Sequence, residues 1–416
     1  MDLKKLKGVR DYSHDEALLL EKIHDTGKKI FKKYGYLPLD TTALERWEVL
    51  TAKDVNAGDE IKEQTYNFKD RGGKHIGLRF DLTVSLIRYV AEHQNINIPF
   101  KRYQLGKVYR YEEAKRSRYR EFYQMDIDVV GGKSIAYDAE ILAVAHELFN
   151  SLGLKNHTFL INNRKLIEKI LSQKYPKLDK IKAMRTIDKI DKISKEEFLK
   201  EGFKEENYQL FKREFNSYEE LSKEINQECK DLKELETYLK LMGVKNYKFS
   251  LKIVRGLGYY TGNVFETFIQ GYEDVGSVGS GGRYDTVFER VIKRPLPAVG
   301  YGFGVDRILD VMLKEGLIPE SFMVYVAYTP EEMLKEAIRI RKELIKNNIP
   351  TYLNYDYKSL TNQIKEAVKR NIKWLIIVGK KDLEDNKVTL RDLEKGKEEK
   401  IGVKDVLSRL GSRRKR

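Results

Sequence analysis

Residues 108–130 read VYRYEEAKRSRYREFYQMDIDVV, and this stretch decides the fold class of the chain. In its second half apolar side chains alternate with polar ones, which are Gln124, Asp126 and Asp128. An alternation with a period of two predicts a strand over 121–130 with one apolar and one polar face. A second strand is predicted over 101–110, and the charged loop 112–120 joins the two. The region is therefore predicted to be α+β with antiparallel strands.

The polar face of the predicted strand 121–130 has two interpretations. On an outer face its side chains would simply be solvated. The adjoining loop, however, brings guanidinium groups next to this face, at Arg110, Arg116, Arg118 and Arg120. Guanidinium groups bind phosphate and carboxylate oxygens bidentately, so a groove with cations at one end and carboxylates at the other fits a zwitterionic or phosphorylated ligand. A solvated arginine-rich hairpin is the open alternative.

Two elements are predicted before this hairpin. Ser13 and Glu16 have the spacing of a capping box, and the apolar residues that follow continue a helix towards Tyr34. A further hairpin is predicted over 65–80, with residues 71–74 as its turn.

After the hairpin, the composition of the sequence changes twice. Residues 165–245 are rich in Lys and Glu and poor in glycine, which predicts an inserted helical module. Strand-like segments such as 264–269 then return, and the first sheet is predicted to resume there.

The last part of the chain, after Leu317, alternates strands with helices. Strands are predicted over 323–328, 351–355 and 374–379. The first helix between them is predicted to start at Pro330 with Thr329 and Glu332 as its capping box, and the second to cover 359–371. This alternation predicts a small α/β domain with a parallel sheet.

Three glycine-rich segments lie in the second half of the chain: RGLGYYTG (255–262), SVGSGGRYD (277–285) and GYGFGVDR (300–307). Glycine lets the backbone approach a ligand closely, and Tyr259 and Tyr260 offer an apolar wall with polar tips. A bulged strand with buried tyrosines fits the first segment equally well. The second is predicted to be a turn and the third a strand that runs into a helix. The third does not satisfy GxGxxG, and the chain has no GxxxxGK[ST] phosphate loop.

Composition narrows the classes of function. The 416 residues include 79 Lys+Arg and 64 Asp+Glu, a formal net charge of +15 that is compatible with nucleic acid, an anionic membrane or acidic small molecules. A single cysteine excludes an intramolecular disulfide and a Cys-based zinc cluster, and the histidines form no HExxH pair. Mg²⁺ that arrives on phosphates remains compatible. Without an apolar run of membrane length or a signal-peptide core, the protein is predicted to be cytoplasmic.

The motifs, taken in order, resemble those of the histidyl-tRNA synthetases, which are class II aminoacyl-tRNA synthetases. They are KGVRDY (7–12), LRFDLT (78–83), VYRYEE (108–113), RYREFYQMDID (118–128), RGLGYYTG (255–262), GSGGRYD (279–285) and GYGFGVDR (300–307). The arginine-bearing hairpin looks like class II motif 2, and the glycine-rich strand that ends at Arg307 looks like motif 3. FDLT and FYQMDID look more like the archaeal and eukaryotic branch.

The resemblance covers nearly the whole chain and implies a fold and a function. It implies a class II catalytic domain with an antiparallel sheet (1–160 and 246–318), a helical insertion (165–245) and a C-terminal α/β anticodon-binding domain (322–416). The implied function is histidine–tRNA ligase, which uses ATP to convert L-histidine to histidyl-adenylate and transfers it to the 3′ end of tRNA(His). ATP and Mg²⁺ are the implied cofactors, and a homodimer is the implied assembly.

The resemblance also assigns residues to the amino acid. Asp81, Thr83 and Gln124 would hold the α-ammonium of histidine. Asp128 and Tyr260 would bind the imidazole nitrogens, and Tyr259 would shape the wall beside them.

A second set is assigned to ATP and to catalysis. Arg110 would bind the α-phosphate, while Arg118 and Arg307 would bind the terminal phosphates. Glu112 would lie near ATP or its Mg²⁺. Arg255 would bridge the histidine carboxylate and the α-phosphate, which makes Arg110, Arg255 and Arg307 the catalytic set.

Three positions depart from the family pattern. Gly258 stands where an aspartate is usual, Thr42 where motif 1 normally has a proline, and Asp306 where a glutamate is more usual. Gly258 cannot make the orienting hydrogen bond of the usual aspartate, and Thr42 weakens the inference about the dimer interface. Asp306 places a shorter carboxylate near Arg307.

Two non-catalytic alternatives belong to the same family. One is the synthetase paralogue that regulates ATP phosphoribosyltransferase, and the other is a synthetase-like domain that senses uncharged tRNA. The first typically lacks the anticodon-binding domain, and both tend to lose active-site residues. This chain keeps that domain together with Arg110, Arg255 and Arg307, which favours the active ligase.

Overall fold

The computed structural model describes residues 3–52, 59–93, 95–113, 117–254, 259–317 and 321–411. The chain divides into two compact units, Met1–Ile318 and Pro319–Arg416, and each unit has its own buried core. No helix within these described ranges is long and apolar enough to cross a membrane.

The first unit begins with helices and short strands that lead into a long hairpin. In chain order the elements are α1 (His14–Lys33), β1 (Leu37–Pro38), β2 (Leu44–Arg46), α2 (Trp47–Leu50), α3 (Asp59–Gln64), β3 (Asn67–Lys69), β4 (His75–Leu78), α4 (Thr83–Glu92), β5 (Phe100–Tyr109), β6 (Glu121–Val130), α5 (Ala136–Ser151) and β7 (His157–Asn163).

A helical segment follows and then the sheet resumes. The elements are α6 (Arg164–Lys174), α7 (Lys180–Asp188), α8 (Lys195–Lys200), α9 (Glu205–Lys212), β8 (Glu214–Phe215), α10 (Tyr218–Ile225), α11 (Lys230–Leu241), β9 (Tyr247–Ser250), β10 (Asn263–Ile269), β11 (Gly279–Arg283), α12 (Val287–Ile292), β12 (Ala298–Gly304) and α13 (Val305–Lys314), with a 3₁₀ turn at Glu273–Val275.

The capping box predicted before α1 is confirmed. The backbone N–H of Ser13 donates to the Glu16 carboxylate over 2.7 Å, and the N–H of Glu16 donates to the Ser13 hydroxyl over 3.4 Å. These bonds satisfy two of the free N–H groups at the helix start, and Lys32 and Lys33 face the negative end of the helix dipole.

The main sheet has nine strands in the order β1-β5-β6-β12-β11-β10-β7-β9-β8. Its pairs are antiparallel except β1 with β5 and β7 with β9. Helices α1, α5 and α13 pack on one face, against Met125, Ile127 and Val129 of β6, which are fully buried. The opposite face presents the polar residues of β6. This confirms the α+β class and the predicted two-faced strand.

One segment predicted as a turn is a strand in the middle of the sheet. Residues 279–283 form β11, which pairs with β10 on one side and β12 on the other. Its glycines permit close strand approach, because a Cβ on Gly281 would lie 2.1 Å from the carbonyl oxygen of Gly300. The glycine density therefore marks tight packing between strands and not a chain reversal.

The helical segment is continuous with the first unit. Side chains of α6 and α11, such as Ile167 and Leu239, belong to the same core as α5 and β7. Strand β8 pairs with β9 and so adds an edge strand to the main sheet. The limits 165–245 for an inserted module stay a prediction.

The second unit combines a parallel core with an added hairpin. Its elements are β13 (Ser321–Thr329), α14 (Leu334–Lys346), β14 (Thr351–Tyr352), α15 (Leu360–Lys369), β15 (Ile372–Gly379), α16 (Lys380–Glu384), β16 (Lys387–Asp392), β17 (Lys397–Gly402) and α17 (Val403–Gly411), with a 3₁₀ turn at Glu331–Met333. Strands β14, β13 and β15 are parallel as predicted, whereas β16 and β17 extend the sheet in antiparallel fashion.

The predicted start of the first helix in this unit is wrong. Thr329 does not cap a helix, because it still pairs with Gly379 as the last residue of β13. The chain then makes the 3₁₀ turn, and α14 begins at Leu334 without a side-chain capping bond.

Candidate active site

A cavity of about 1380 Å³ lies in the first unit, on the polar face of the main sheet. Nine of the residues predicted for the site line it: Asp81, Thr83, Arg110, Arg118, Gln124, Asp128, Tyr259, Tyr260 and Arg307. Glu112 lines an adjoining pocket of about 120 Å³ together with Arg110, Arg118 and Arg307. Arg255 and Gly258 lie outside the described residues. The fold thus gathers side chains that are far apart in sequence.

Asp128 is the most tightly held carboxylate of the cavity. The hydroxyl of Tyr284 donates to its Oδ1 over 2.5 Å, and Nη2 of Arg102 lies 2.7 Å from its Oδ2. Arg102 is fully buried on β5, directly opposite Asp128 in the strand register. Burial raises the pKa of Asp128, while Arg102 and Tyr284 oppose that rise. Tyr284 therefore keeps its proton, because burial and the Asp128 charge raise its own pKa.

The two tyrosines predicted for the wall are buried beside this pair. The rings of Tyr259 and Tyr260 lie with centroids 4.7 Å apart, and Tyr259 meets Tyr284 edge-on at 6.0 Å. The site thus contains a third tyrosine next to the two that the sequence indicated.

Asp81 lies two residues before the start of α4. Its Oδ1 accepts hydrogen bonds from the backbone N–H groups of Thr83 (3.1 Å) and Val84 (2.9 Å). Its Oδ2 is buried and has no hydrogen-bond partner among the described residues. Burial raises the pKa of Asp81, and the charges of Arg110 and Arg102 partly offset this. A buried acceptor atom of this kind is suited to a donor on a ligand.

Guanidinium groups form the other end of the cavity. Glu112 lies between Arg110 and Arg118, with N–O distances of 3.9 and 3.8 Å. Arg307 donates to the carbonyl oxygens of Ser277 (2.6 Å) and Ser117 (3.4 Å). Burial, and then the charges of Arg118 and Arg110, lower the pKa of Arg307. The three cations are therefore close enough to repel one another, a setting that favours a polyanionic ligand.

The N-terminal motif KGVRDY fixes the helix that carries Arg307. The Tyr12 hydroxyl donates to Oδ1 of Asp306 over 2.7 Å, and Oδ2 of Asp306 accepts from the backbone N–H of Tyr123 over 2.7 Å. Arg10 lies 2.8 Å from Asp310 of the same helix. The short carboxylate at 306 thus ties α13 to β6, next to Arg307.

Glycines of β12 make the floor of the cavity. Gly300 lies opposite Asp128 and Gly302 opposite Asp126 in the strand register. A Cβ on Gly300 would be 2.0 Å from Oδ1 of Asp128, and one on Gly302 would be 2.6 Å from Nε2 of Gln124. Side chains at these two positions would displace the polar groups above them.

Four residues of the cavity region were missed by the sequence prediction. Asp126, Glu266 and Tyr284 line the cavity, and Arg102 supports it from beneath. Asp126 was recognised as part of the polar face but given no role. The sequence prediction did not find Arg102, because the predicted strands 101–110 and 121–130, paired end to end, place position 102 opposite Val129, whereas the observed register pairs Arg102 with Asp128.

The cavity continues beyond these residues towards the helical segment. Lys252 lies there between Asp191 (3.1 Å) and Glu214 (3.5 Å), and both acids line the cavity as well. A volume of this size exceeds the ~300–1,000 Å³ that is typical of small-ligand pockets.

Comparisons with known proteins identify the families that the two parts of the chain match. Residues 8–308 match the family model described as histidyl-tRNA synthetase, and residues 323–413 match the anticodon binding domain. A histidine–tRNA ligase of Wolinella succinogenes is 33% identical, over 94% of this chain and 94% of its own length. One from Pyrococcus furiosus is 34% identical, over 97% and 98%. The crystal structure of histidyl-tRNA synthetase from Nostoc sp. PCC 7120 has a TM-score of 0.84 at 28% identity, over 99% of this chain and 100% of that one.

Proposed function

The chain belongs to the histidyl-tRNA synthetase family, and we propose that the cavity of its first unit is where histidine and ATP react. The chain is an aminoacyl-tRNA synthetase that joins histidine to tRNA at the expense of ATP. The observation that carries the proposal for the site is the division of one cavity into an acidic end, with Asp81 and Asp128, and a cationic end, with Arg110, Arg118 and Arg307.

The acidic end is suited to histidine. The Asp128 carboxylate offers an acceptor to one imidazole nitrogen, and Tyr260 or Tyr284 offers a phenol near the other. A site that pairs a polar ring inside a buried wall rejects analogues without those nitrogens by ~10⁴ or more. Asp81, Thr83 and Gln124 would receive the α-ammonium.

The cationic end is suited to ATP. Arg110 would bind the α-phosphate, and Arg118 and Arg307 the terminal phosphates. The reaction is an in-line attack of a histidine carboxylate oxygen on the α-phosphorus, while the bond from that phosphorus to the bridging oxygen breaks and pyrophosphate leaves with the electron pair. Arg110 would stabilise the charge on the α-phosphate oxygens as it develops. The bridging role of Arg255 stays a prediction.

Transfer to tRNA follows in the same cavity. A hydroxyl oxygen of the 3′-terminal ribose attacks the carbonyl carbon of histidyl-adenylate, an ester forms and AMP leaves. The arm of the cavity that reaches Lys252 leaves room for the terminal nucleotide beside the adenylate.

Mg²⁺ is the metal that this chemistry implies. It would enter the cationic end of the cavity already bound to the phosphates of ATP. No cluster of three or more metal-ligating side chains occurs within the described part of the chain. Mg²⁺ in nucleotide sites needs only one or two carboxylates besides phosphates and water. Glu112 and Glu266, which both act electrostatically on Arg307, would supply them. The bound ion would neutralise phosphate charge.

The second unit would contact the anticodon loop. Three cations of this unit, Arg339, Lys346 and Arg370, pair with glutamates on α14 and α15. Arg341 donates to the Tyr355 hydroxyl over 2.7 Å, and the Tyr355 and Tyr357 side chains are 54% and 41% exposed. Exposed aromatic rings beside a guanidinium suit stacking with unstacked bases. The domain limits, the homodimer, the cytoplasmic location and the archaeal and eukaryotic branch stay predictions.

The experiment that tests the activation site is histidine-dependent exchange of pyrophosphate into ATP. We expect exchange with histidine and with no other standard amino acid. Equal exchange with glutamine or phenylalanine would contradict the assignment of the acidic end. A complete lack of exchange would favour the non-catalytic paralogues, which the comparisons do not favour.

A further inference from the structure

Within the described part of the chain, three buried acceptor atoms of the cavity have neither a hydrogen bond nor an ion pair. Oδ2 of Asp81, Oε1 of Gln124 and Oδ1 of Asp126 accept no hydrogen bond from any described residue. All three side chains line the same cavity, and Asp81 and Asp126 are 5% and 3% exposed. Buried polar atoms are almost always paired in folded proteins, so three exceptions in one cavity point to donors on a ligand.

Asp126 lies on β6 between the residue assigned to the α-ammonium and the residue assigned to the imidazole ring. Gln124 precedes it and Asp128 follows it on the same face of the strand. Opposite it is Gly302, where a Cβ would lie 2.6 Å from Nε2 of Gln124 and 2.9 Å from Oδ1 of Asp126. The side chains of Gln124 and Asp126 are therefore neighbours on one wall, with glycine leaving the space in front of them open.

We propose that Asp126 is the third acceptor for the α-ammonium of histidine, together with Asp81 and Gln124. An ammonium group has three N–H donors and no acceptor, which matches three acceptor oxygens. The inference rests on the proposed function, and it adds a residue to which the family resemblance gave no role. Thr83, which the family resemblance assigns to the same ammonium, contributes its backbone N–H to hold Asp81 in this arrangement and is not one of the three acceptors.

The charges around Asp126 favour a cationic ligand group. Arg102, on the neighbouring strand, and Arg79, in the segment before α4, attract the Asp126 carboxylate. Asp81 and Asp128 repel it. Burial and these two acids raise the pKa of Asp126 to about 8, against the opposing effects of Arg102 and of the neighbouring Gln124 side chain. An ammonium placed among the acids would reduce their repulsion, which is why the acidic end would bind histidine more strongly than an analogue without the charge.

The alternative role for Asp126 is to balance the charge of Arg102 and thereby hold Asp128. The two roles predict different ligand dependence. If Asp126 contacts the ammonium, its removal weakens only ligands that carry an ammonium. If it acts through Arg102 and Asp128, its removal also weakens ligands that carry only the imidazole ring.

The test compares two ligands with two variants. Histidine and imidazolepropionate, which is histidine without its α-amino group, are titrated calorimetrically into the wild type, Asp126→Asn and Asp128→Asn. We expect Asp126→Asn to weaken histidine about 10- to 100-fold, the scale of one charge-assisted hydrogen bond, and imidazolepropionate less than about 3-fold. Asp128→Asn should weaken both. Equal weakening of both ligands by Asp126→Asn, or of neither, overturns the proposal.

A measurement on the wild type covers the case in which Asp126→Asn does not fold. Calorimetry in buffers of different ionisation enthalpy, near pH 7.5, reports protons released on binding. Once the proton that each ligand's own imidazole ring gains or loses is subtracted, we expect histidine binding to release a larger fraction of a proton than imidazolepropionate binding, because the ammonium lowers the pKa of the nearby acid. Equal proton release contradicts the proposal. Wild-type pyrophosphate exchange separates the two hypotheses, because its absence refutes the proposed function and its presence leaves only Asp126 in question.

Discussion

Arg307 is held by backbone groups at the cationic end of the cavity. Its guanidinium donates to the carbonyl oxygens of Ser277 and Ser117, and its pKa is lowered by burial and by Arg118 and Arg110 despite Glu112 and Glu266. Backbone carbonyls orient this cation without neutralising it. It is therefore ready to bind phosphate oxygens with little reorganisation.

We expect Arg307→Ala to lower the rate of histidyl-adenylate formation about 10²- to 10³-fold, the scale for removing one preorganised charge. Arg307→Lys should recover only part of the rate, because an ammonium cannot replace the planar fork. Single-turnover adenylation is the measurement, and the melting temperature of each variant is the control for folding. An alanine variant with wild-type adenylation would contradict the role.

Asp126 should also link stability to pH. Its pKa in the folded protein is about 8, above its ordinary value of 3.8, so the folded chain keeps a proton that the unfolded chain has already lost. The free energy of unfolding therefore falls as pH rises between these two values. Asp126→Asn removes this contribution. We expect its melting temperature, relative to wild type, to be higher at pH 8 than at pH 5. The same difference at both pH values would show that the carboxyl does not titrate in this window.

The sequence predicted the residues that line the cavity better than those that support them. Asp128 and Gln124 followed from the alternation of β6, and Asp81 and Arg307 from their motifs. Arg102 was not predicted, because its role depends on the register between two strands and on its complete burial. Tyr284 was not predicted as the partner of Asp128, because residues 277–285 were predicted to form a turn.

At the scale of elements, the strand β12 acts as a spacer between its neighbours. Three of its seven residues are Gly300, Gly302 and Gly304, and the first two lie under the polar side chains of β6. An unsubstituted backbone at these positions gives the carboxylates of β6 room to face the cavity. The glycines are therefore needed for space and not for turn geometry.

We expect Gly300→Ala to raise the KM for histidine at least about 10-fold and to change the KM for ATP much less. The reason is that a displacement of a binding group by about 1 Å can lower activity ~10²-fold. The new Cβ would lie 2.0 Å from Oδ1 of Asp128 and would push this carboxylate off Tyr284. Gly304→Ala is the matched control on the same strand, since its Cβ would be 3.5 Å from the nearest atom. Similar KM values for both variants and the wild type would refute the spacer role.

Elements with a strong local signal were predicted, and those defined by tertiary pairing were not. The capping box gave α1, and the alternation gave β6. The start of α14 was predicted too early because Thr329 and Pro330 look like a helix start, while pairing with β15 keeps Thr329 in a strand. Strands β16 and β17 were not predicted, since their charged residues give little alternation of apolar and polar side chains.

At the scale of the whole molecule, the chemistry and the anticodon match belong to different units. Every residue assigned to histidine or ATP precedes residue 318, where the first unit ends, and the match to the anticodon binding domain covers 323–413. The first unit has its own core, to which the helical segment contributes buried residues such as Phe198 and Leu235. The first unit should therefore fold and activate histidine without the second.

We expect a chain that ends near residue 318 to form histidyl-adenylate at a rate within a few-fold of the intact chain but to lose most of its efficiency in charging the histidine tRNA. The physical reason is that RNA affinity comes largely from phosphate contacts and base stacking, which the second unit would supply through Arg341, Tyr355 and Tyr357. For the intact chain, tRNA affinity should fall steeply with salt as counterions are released, and the truncated chain should show a smaller slope. Aminoacylation of both chains over a series of salt concentrations is the measurement, with adenylation as the control for folding. If the truncated chain adenylates normally and charges tRNA as well as the intact chain at every salt concentration, the second unit does not bind the anticodon loop.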